Sequence, residues 1–486
     1  MVSSWRRMVG VAYCVANSCG VFMTEFFKVS RSSRSRSFVT PLTCAFAVAL
    51  SVAAVACGGD DDDVSAQDAD GGTSGSSSGG KGGSSTGGKG GTSSGGKGGS
   101  TSTGGDGGTG EGGEGGTGGS TGGTAGKATM VDPEDYDGQE VFRFDTFGDE
   151  QFWTGTLRMH EAIQTALDPV TALSLGLKVD AEVLPEGILE QVDLEDPATT
   201  VALIKMNAVV GVQGTVDSAG NLTSVGITCA LCHSDVDDSV MEGIGLRIDG
   251  AANRDLDPGA IIALAPGLED LPDVVAVYNS WGPGYYDPRF NQDMMNHPVL
   301  IPPIYGLADV PLETYTGDGP ISYWNSYVGI TQMGGVGNFY DPRIGVGVFY
   351  DDDMITAKLP ALYDYQVSLE APAPSEDAFD PTAAARGEAL FTGAARCSTC
   401  HSGETLTDAP TLHAPDETGM DATYAGRTAT KMYRTTPLRA LLVHPPYFHD
   451  GSAETLTEVV THYNTTLQLN LNADQMEDLV QYLNSL

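Results

Sequence analysis

The sequence predicts a mainly α-helical protein of two successive folded regions with long irregular loops, set behind a disordered Gly/Ser-rich tether. Three observations lead there. Residues 57–130 are Gly, Ser and Thr with scattered charges, and no aromatic side chain occurs between Gly58 and Met130. Nothing there can offset the entropy of ordering the backbone. Beyond it stand two pentapeptides of one pattern, Cys229-Ala-Leu-Cys232-His233 and Cys397-Ser-Thr-Cys400-His401, about 170 residues apart. Apolar residues at helical spacing precede the first and bracket the second.

Each pentapeptide is a C-x-x-C-H run, the attachment signature of a c-type haem. The two thiols add to the porphyrin vinyls as thioethers, and the adjacent histidine lies under the ring as an iron ligand. A lone C-x-x-C also suits a redox dithiol or half a zinc site. Two of them, both ending in histidine in a chain with eight cysteines, decide for haem. Two covalently bound haem c groups are expected, with His233 and His401 as proximal iron ligands. The regions are then 131–372, holding the first haem, and 373–486, a small cytochrome c domain. Cys14, Cys19, Cys44 and Cys57 lie in or beside the N-terminal segment, so no thiol remains for a disulfide framework.

Residues 1–56 read as a signal peptide. Arg31, Arg34 and Arg36 precede an apolar run over 38–56 that ends in small residues. Ala54-Val-Ala-Cys57 resembles the bacterial lipobox, with alanine where leucine is usual, so Cys57 is expected to carry lipid. Met23 is an alternative start. Export to the periplasm or the outer membrane follows, with the cell surface as the alternative. The membrane is met only through the lipid. A tether of this length reaches roughly 45 Å. The formal charge is −39, and without residues 1–56 it is −44, from 63 acidic and 19 basic residues. Such a body repels nucleic acid and draws basic or neutral redox partners.

In the first region Leu157–Leu167 has helical periodicity, Asp168-Pro169 should end it, and Pro169 can open the next helix. Ala202–Val212 fits helix or strand. The glycines of Gly243–Gly250 would permit close backbone approach to a porphyrin. Arg247 or Arg254 could hold propionates, or serve local ion pairs. Residues 278–345, including Gly317–Tyr327, suggest a long irregular connection packed by large rings, with Trp281 and Trp324 as candidates for a place between haems. A second ligand for the first iron could be His297, His160, Met294, Met295, Met333 or nothing.

In the second region Asp380-Pro-Thr opens a helix over 380–391 that leads into Cys397. Asn472-Ala-Asp-Gln475 is a capping box before the last helix. Between them run Thr436-Pro-Leu-Arg439, then Pro446-Tyr-Phe-His-Asp-Gly451, then Thr455-Leu. With the two C-x-x-C-H motifs, this pattern resembles the bacterial dihaem cytochrome c peroxidase family, including the branch that matures a tryptophylquinone cofactor. The resemblance covers roughly residues 220–486. More distantly, the arrangement is similar to dihaem oxygenases that cleave polyisoprene.

The resemblance implies that the His233 haem reacts with hydrogen peroxide or another small oxidant. The His401 haem would take electrons from a small cytochrome c or cupredoxin. The position of its second ligand matches Tyr463, with His462 beside it as the alternative and Met432 and Met420 behind them. The family also binds calcium between its haems, partly through carbonyls of the stretch matching His444 to Pro446, so Ca2+ is a further candidate. His449 would support the second haem or serve structure alone. The family's distal histidine segment after the first motif has no counterpart here. Glu242, Glu313 and Trp324 are the remaining catalytic candidates. A peroxidase-like oxidoreductase is the leading expectation. An electron carrier without turnover, and an oxygenase or oxidase acting on an organic or protein substrate, are the alternatives.

Overall fold

The computed structural model describes residues 136–486 apart from Glu190 and Glu376; the expected signal peptide, lipidated Cys57 and tether lie outside the described residues. Short helices and six two-stranded ribbons, joined by long loops, make up the described residues.

Caps and backbone breaks set the helices of the first region. Asp137, Asp168 and Asp196 accept first-turn N–H groups of helices Gly138–Phe144, Pro169–Ser174 and Pro197–Lys205. The helix expected over 157–167 starts at Met159, because Arg158 takes a left-handed conformation after a π-helical turn over Gln151–Thr156. Ala202–Val212 proves to be two elements. The helix ends at Lys205, Asn207 turns at φ 57°, and a strand begins at Val212.

Two expectations need correction. Gly317–Tyr327 is not an irregular connection throughout: after Pro320 it enters helix Ile321–Thr331, where Trp324 and Tyr327 are buried three residues apart. Their spacing is helical, and the Pro and Gly ahead of them obscured it. The glycines of 243–250 meet protein instead. A Cβ on Gly243 would strike Leu173 and one on Gly245 would strike Asp237.

Three large apolar clusters form the core. One gathers Trp153 to Ile301 around the hairpin Val212–Val216/Leu222–Ile227, and a second packs helices Gly138–Phe144, Ile321–Thr331 and Leu359–Ser368. The third lies wholly within 390–486. There helix Pro381–Thr392 crosses helix Ala473–Asn484 so closely that a Cβ on Gly387 would sit 2.0 Å from the carbonyl oxygen of Asp478. The expected caps at Asp380 and Asn472 are both made. A small fourth cluster joins Val299 to Tyr424, Ala425 and Tyr433.

Asp149 is fully buried and accepts the Ile227 N–H two residues before Cys229. Burial pushes its carboxyl up to about 9. A carboxyl raised this way stabilises the fold fully below its unfolded pKa, and that contribution is lost as pH rises to about 9. Asp149→Asn should therefore flatten the fall of the melting temperature between pH 5 and pH 9; an unchanged slope would place the titration elsewhere.

Candidate haem centres

The first motif is presented by the end of the hairpin. Thr228 closes it, donating its N–H to Gly211 and its hydroxyl to the carbonyl of Arg143. Gly211 lies at φ 75°, and a Cβ there would come within 2.1 Å of the Leu231 nitrogen, so only glycine admits the turn Ala230–His233. The His233 N–H returns to the carbonyl of Cys229, while the carbonyls of Cys232 and His233 accept from Asn253 and Gly250. The motif is thus fixed from both sides by backbone.

The imidazole is oriented as an iron ligand must be. Nδ1 of His233 lies 3.1 Å from the carbonyl oxygen of Pro302. A carbonyl only accepts, so Nδ1 carries the proton and Nε2 keeps its lone pair. Burial lowers the pKa of this ring to about 4, which keeps it neutral.

The second motif repeats the device on a different scaffold. A 3₁₀ turn over Cys397–Thr399 follows Arg396 at φ 56°, and the His401 N–H bonds the carbonyl of Cys397. Nδ1 of His401 lies 3.0 Å from the carbonyl oxygen of Leu406, and burial lowers the pKa of this ring too. All four motif thiols are unpaired. Burial pushes Cys229 and Cys232 up to about 12 and Cys397 up to about 11. A redox dithiol works as thiolate; these surroundings suit an uncharged thioether. With two imidazoles presented through Nε2, the donor sets fit haem c.

Helix Leu456–Thr466 carries both candidates for the second ligand at His401, with their rings edge to face at 5.1 Å and both against Phe448. The phenol of Tyr463, close to the sulfurs of Cys400 and Cys397, is raised to about 12 by burial. The His462 ring is held elsewhere, with Nε2 2.9 Å from the carbonyl oxygen of Thr418. Met432 is exposed, and Met420 packs by the Tyr424–Tyr433 cluster. His449 belongs to that aromatic junction as well. It stacks on Tyr424 and donates Nε2–H to the Tyr433 hydroxyl at 3.1 Å, since that hydroxyl itself donates to Asp421.

The other candidates scatter. Met294 and Met295 are exposed. The backbone of His297 bonds Asp287 and Arg427, and its ring lies within electrostatic reach of Asp421. His160, on helix Met159–Ala166, holds a buried Nδ1 that has no partner among the described residues. Met333 is buried in the cluster against which Cys229 packs. Glu242 is exposed in a turn, where it cannot be a sheltered acid. Glu313 is buried and pushed up to about 7 by burial, but it is paired with Arg434 at 3.0 Å. Trp324 is buried beneath the Arg289 guanidinium, and Trp281 donates its N–H to Asn296. Arg247 is committed to Asp180 at 3.1 Å, whereas Arg254 makes no ion pair among the described residues.

Tyr286 was not legible in the sequence. Its hydroxyl is buried, donates to Gln332 at 3.1 Å, and has a pKa well above 10 from burial and then from neighbours that include Cys232. It packs on Trp281 at 5.4 Å. The buried ion pairs were equally silent. Arg427 chelates Asp287 at 3.0 Å and Asp293 at 2.8–2.9 Å, and so ties the loop bearing Tyr286 to the second region.

Residues 384–486 match the Cytochrome c family model, so this stretch is a cytochrome c domain. Among curated relatives, the methylamine utilization protein MauG of Methylorubrum extorquens is 36% identical over 119 residues, covering 22% of this chain and 34% of that protein. The chain therefore matches about a third of that relative's length. These matches support the kinship with the dihaem cytochrome c peroxidase family that the motifs suggest. Among solved structures, hydrazine synthase of Kuenenia stuttgartiensis aligns over 39% of this chain and 72% of that one, at 18% identity and a TM-score of 0.29. A MauG-like protein associated with microbial copper homeostasis aligns over 28% and 55%, at 21% identity and a TM-score of 0.23.

Proposed function

We propose that the protein is an exported dihaem c-type oxidoreductase of the peroxidase type, taking electrons at the His401 centre and delivering them to peroxide at the His233 centre. The observation that carries the reading is the repeated imidazole: both motif histidines are held through Nδ1 to a backbone carbonyl and offer Nε2. Bound haem supplies the iron that changes oxidation state. Reduction of hydrogen peroxide breaks the O–O bond, takes up two electrons and two protons, and releases two waters. The electrons come from a small redox protein, basic or neutral to suit the acidic body.

The two centres differ in what surrounds them. At His401 the half-buried Tyr463 phenol, close to Cys397 and Cys400, is the candidate second ligand, and such a ligand would lower the potential and favour ferric iron. Around His233, Met294 and Met295 are exposed and the ring of His297 lies near Asp421. That supports an open position for oxidant. Tyr286, neutral and hydrogen-bonded near Cys232, is the phenol best placed to move a proton or an electron there.

Low-temperature EPR of the ferric holoprotein tests the reading, after a pyridine haemochrome count of two haems per chain. A high-spin signal that peroxide converts, together with peroxide-driven oxidation of a reduced cytochrome, is expected. Two low-spin signals indifferent to peroxide would leave an electron carrier. Tyr463→Phe should change the spectrum of the haem on Cys397 and Cys400 while His462→Gln leaves it; the reverse would move the ligand to His462.

A further inference from the structure

Arg254 starts at the first centre and ends at the second region. Its neighbour Asn253 is pinned to the first motif, donating its N–H to Cys232 and its amide to Gly176, and accepting the Leu256 N–H. From there the guanidinium reaches across, placing Nη2 3.5 Å from the carbonyl oxygen of His444. The hydroxyls of Tyr285, Tyr305, Tyr315 and Tyr447 all lie within reach of its charge. These groups are neutral. Arg247, Arg289, Arg427 and Arg434 each hold a carboxylate, whereas among the described residues Arg254 holds none. Its Nε and Nη1 are buried without an acceptor.

A guanidinium does not lose its proton, and although Arg254 is only half-buried, N–H groups buried without an acceptor are costly. The two idle donors therefore call for an anion. A calcium ion at His444–Pro446 fits poorly by the same reasoning. It would need roughly six to eight oxygen ligands, yet a fixed positive charge already lies against one of the carbonyls. The cluster of potential metal donors among the described residues, Cys400, Asp408 and His413, is built around a motif thiol.

We infer that Arg254 is the resident cation of the junction between the two centres, standing where a divalent ion would otherwise sit and offering its free N–H groups to a haem propionate. This rests on reading both motifs as haem centres. Two positive charges at one carbonyl repel, so arginine and calcium exclude each other there.

Elemental analysis and calcium titration calorimetry of the purified holoprotein test it. The protein as isolated should hold no stoichiometric calcium, give no binding heat with Ca2+, and show unchanged haem EPR after EGTA. Potentiometry should find one haem midpoint lowered in Arg254→Gln and largely restored in Arg254→Lys, because removing a positive charge beside a propionate favours ferric iron. One calcium per chain whose removal alters the EPR overturns the inference alone, as do potentials unmoved in Arg254→Gln. Fewer than two haems per chain overturns the haem reading and this inference with it.

Discussion

On the proposed dihaem peroxidase reading, replacing His233 with Ala will leave a haem attached through Cys229 and Cys232 but remove its proximal imidazole, and the peroxide turnover proposed for this centre will fall by more than about 100-fold. The magnitude is a lower bound, since losing only the partner that orients a ligand costs about 10–100-fold in metal affinity or activity. Here the ligand itself goes, and the Pro302 carbonyl loses the N–H that holds the ring. His401→Ala will change the other haem's spectrum instead, because its imidazole is held independently by Leu406. Magnetic circular dichroism of each ferric variant reads the two changes separately. Loss of both signatures in either folded variant would contradict independent ligation.

Arg427→Ala will lower the unfolding free energy by about 3–5 kcal/mol. The Arg427 side chain is 2% exposed and that of Asp287 is 0% exposed. Removing the guanidinium leaves the Asp287 carboxylate buried without this cation and that of Asp293 with only the Met295 N–H. It also frees the carbonyls of Met295 and His297. Urea denaturation should show the loss as a lower midpoint at unchanged slope. The loop from Tyr285 to Pro298 carries Tyr286, so the same change should weaken the response of the first haem to peroxide. Arg158→Ala is the control, because its pair with Glu161 lies in solvent; a comparable loss there would mean the clamp is not special.

The sequence by itself determined what short-range chemistry dictates. Two cysteines and a histidine at fixed spacing define a haem attachment turn whatever surrounds them. Asp380 and Asn472 cap their helices because a side-chain oxygen can satisfy a first-turn N–H. The cytochrome c domain was legible for that reason, since its caps, motif and terminal helices all lie within about a hundred residues.

Tertiary structure decided everything that depends on partners distant in the chain. Pro302 and Leu406 orient the imidazoles through backbone carbonyls, which leave no trace in residue type. Glu242 and Glu313 are equivalent on paper, yet one faces solvent and the other is buried against Arg434, 121 positions away. Arg247 and Arg254 looked alike until Asp180 paired with the first, while among the described residues no carboxylate pairs with the second. Tyr286 stood out from the chain's other tyrosines only when the fold set it near Cys232. Burial and charge at these positions are sums over neighbours, and only the folded chain chooses the neighbours.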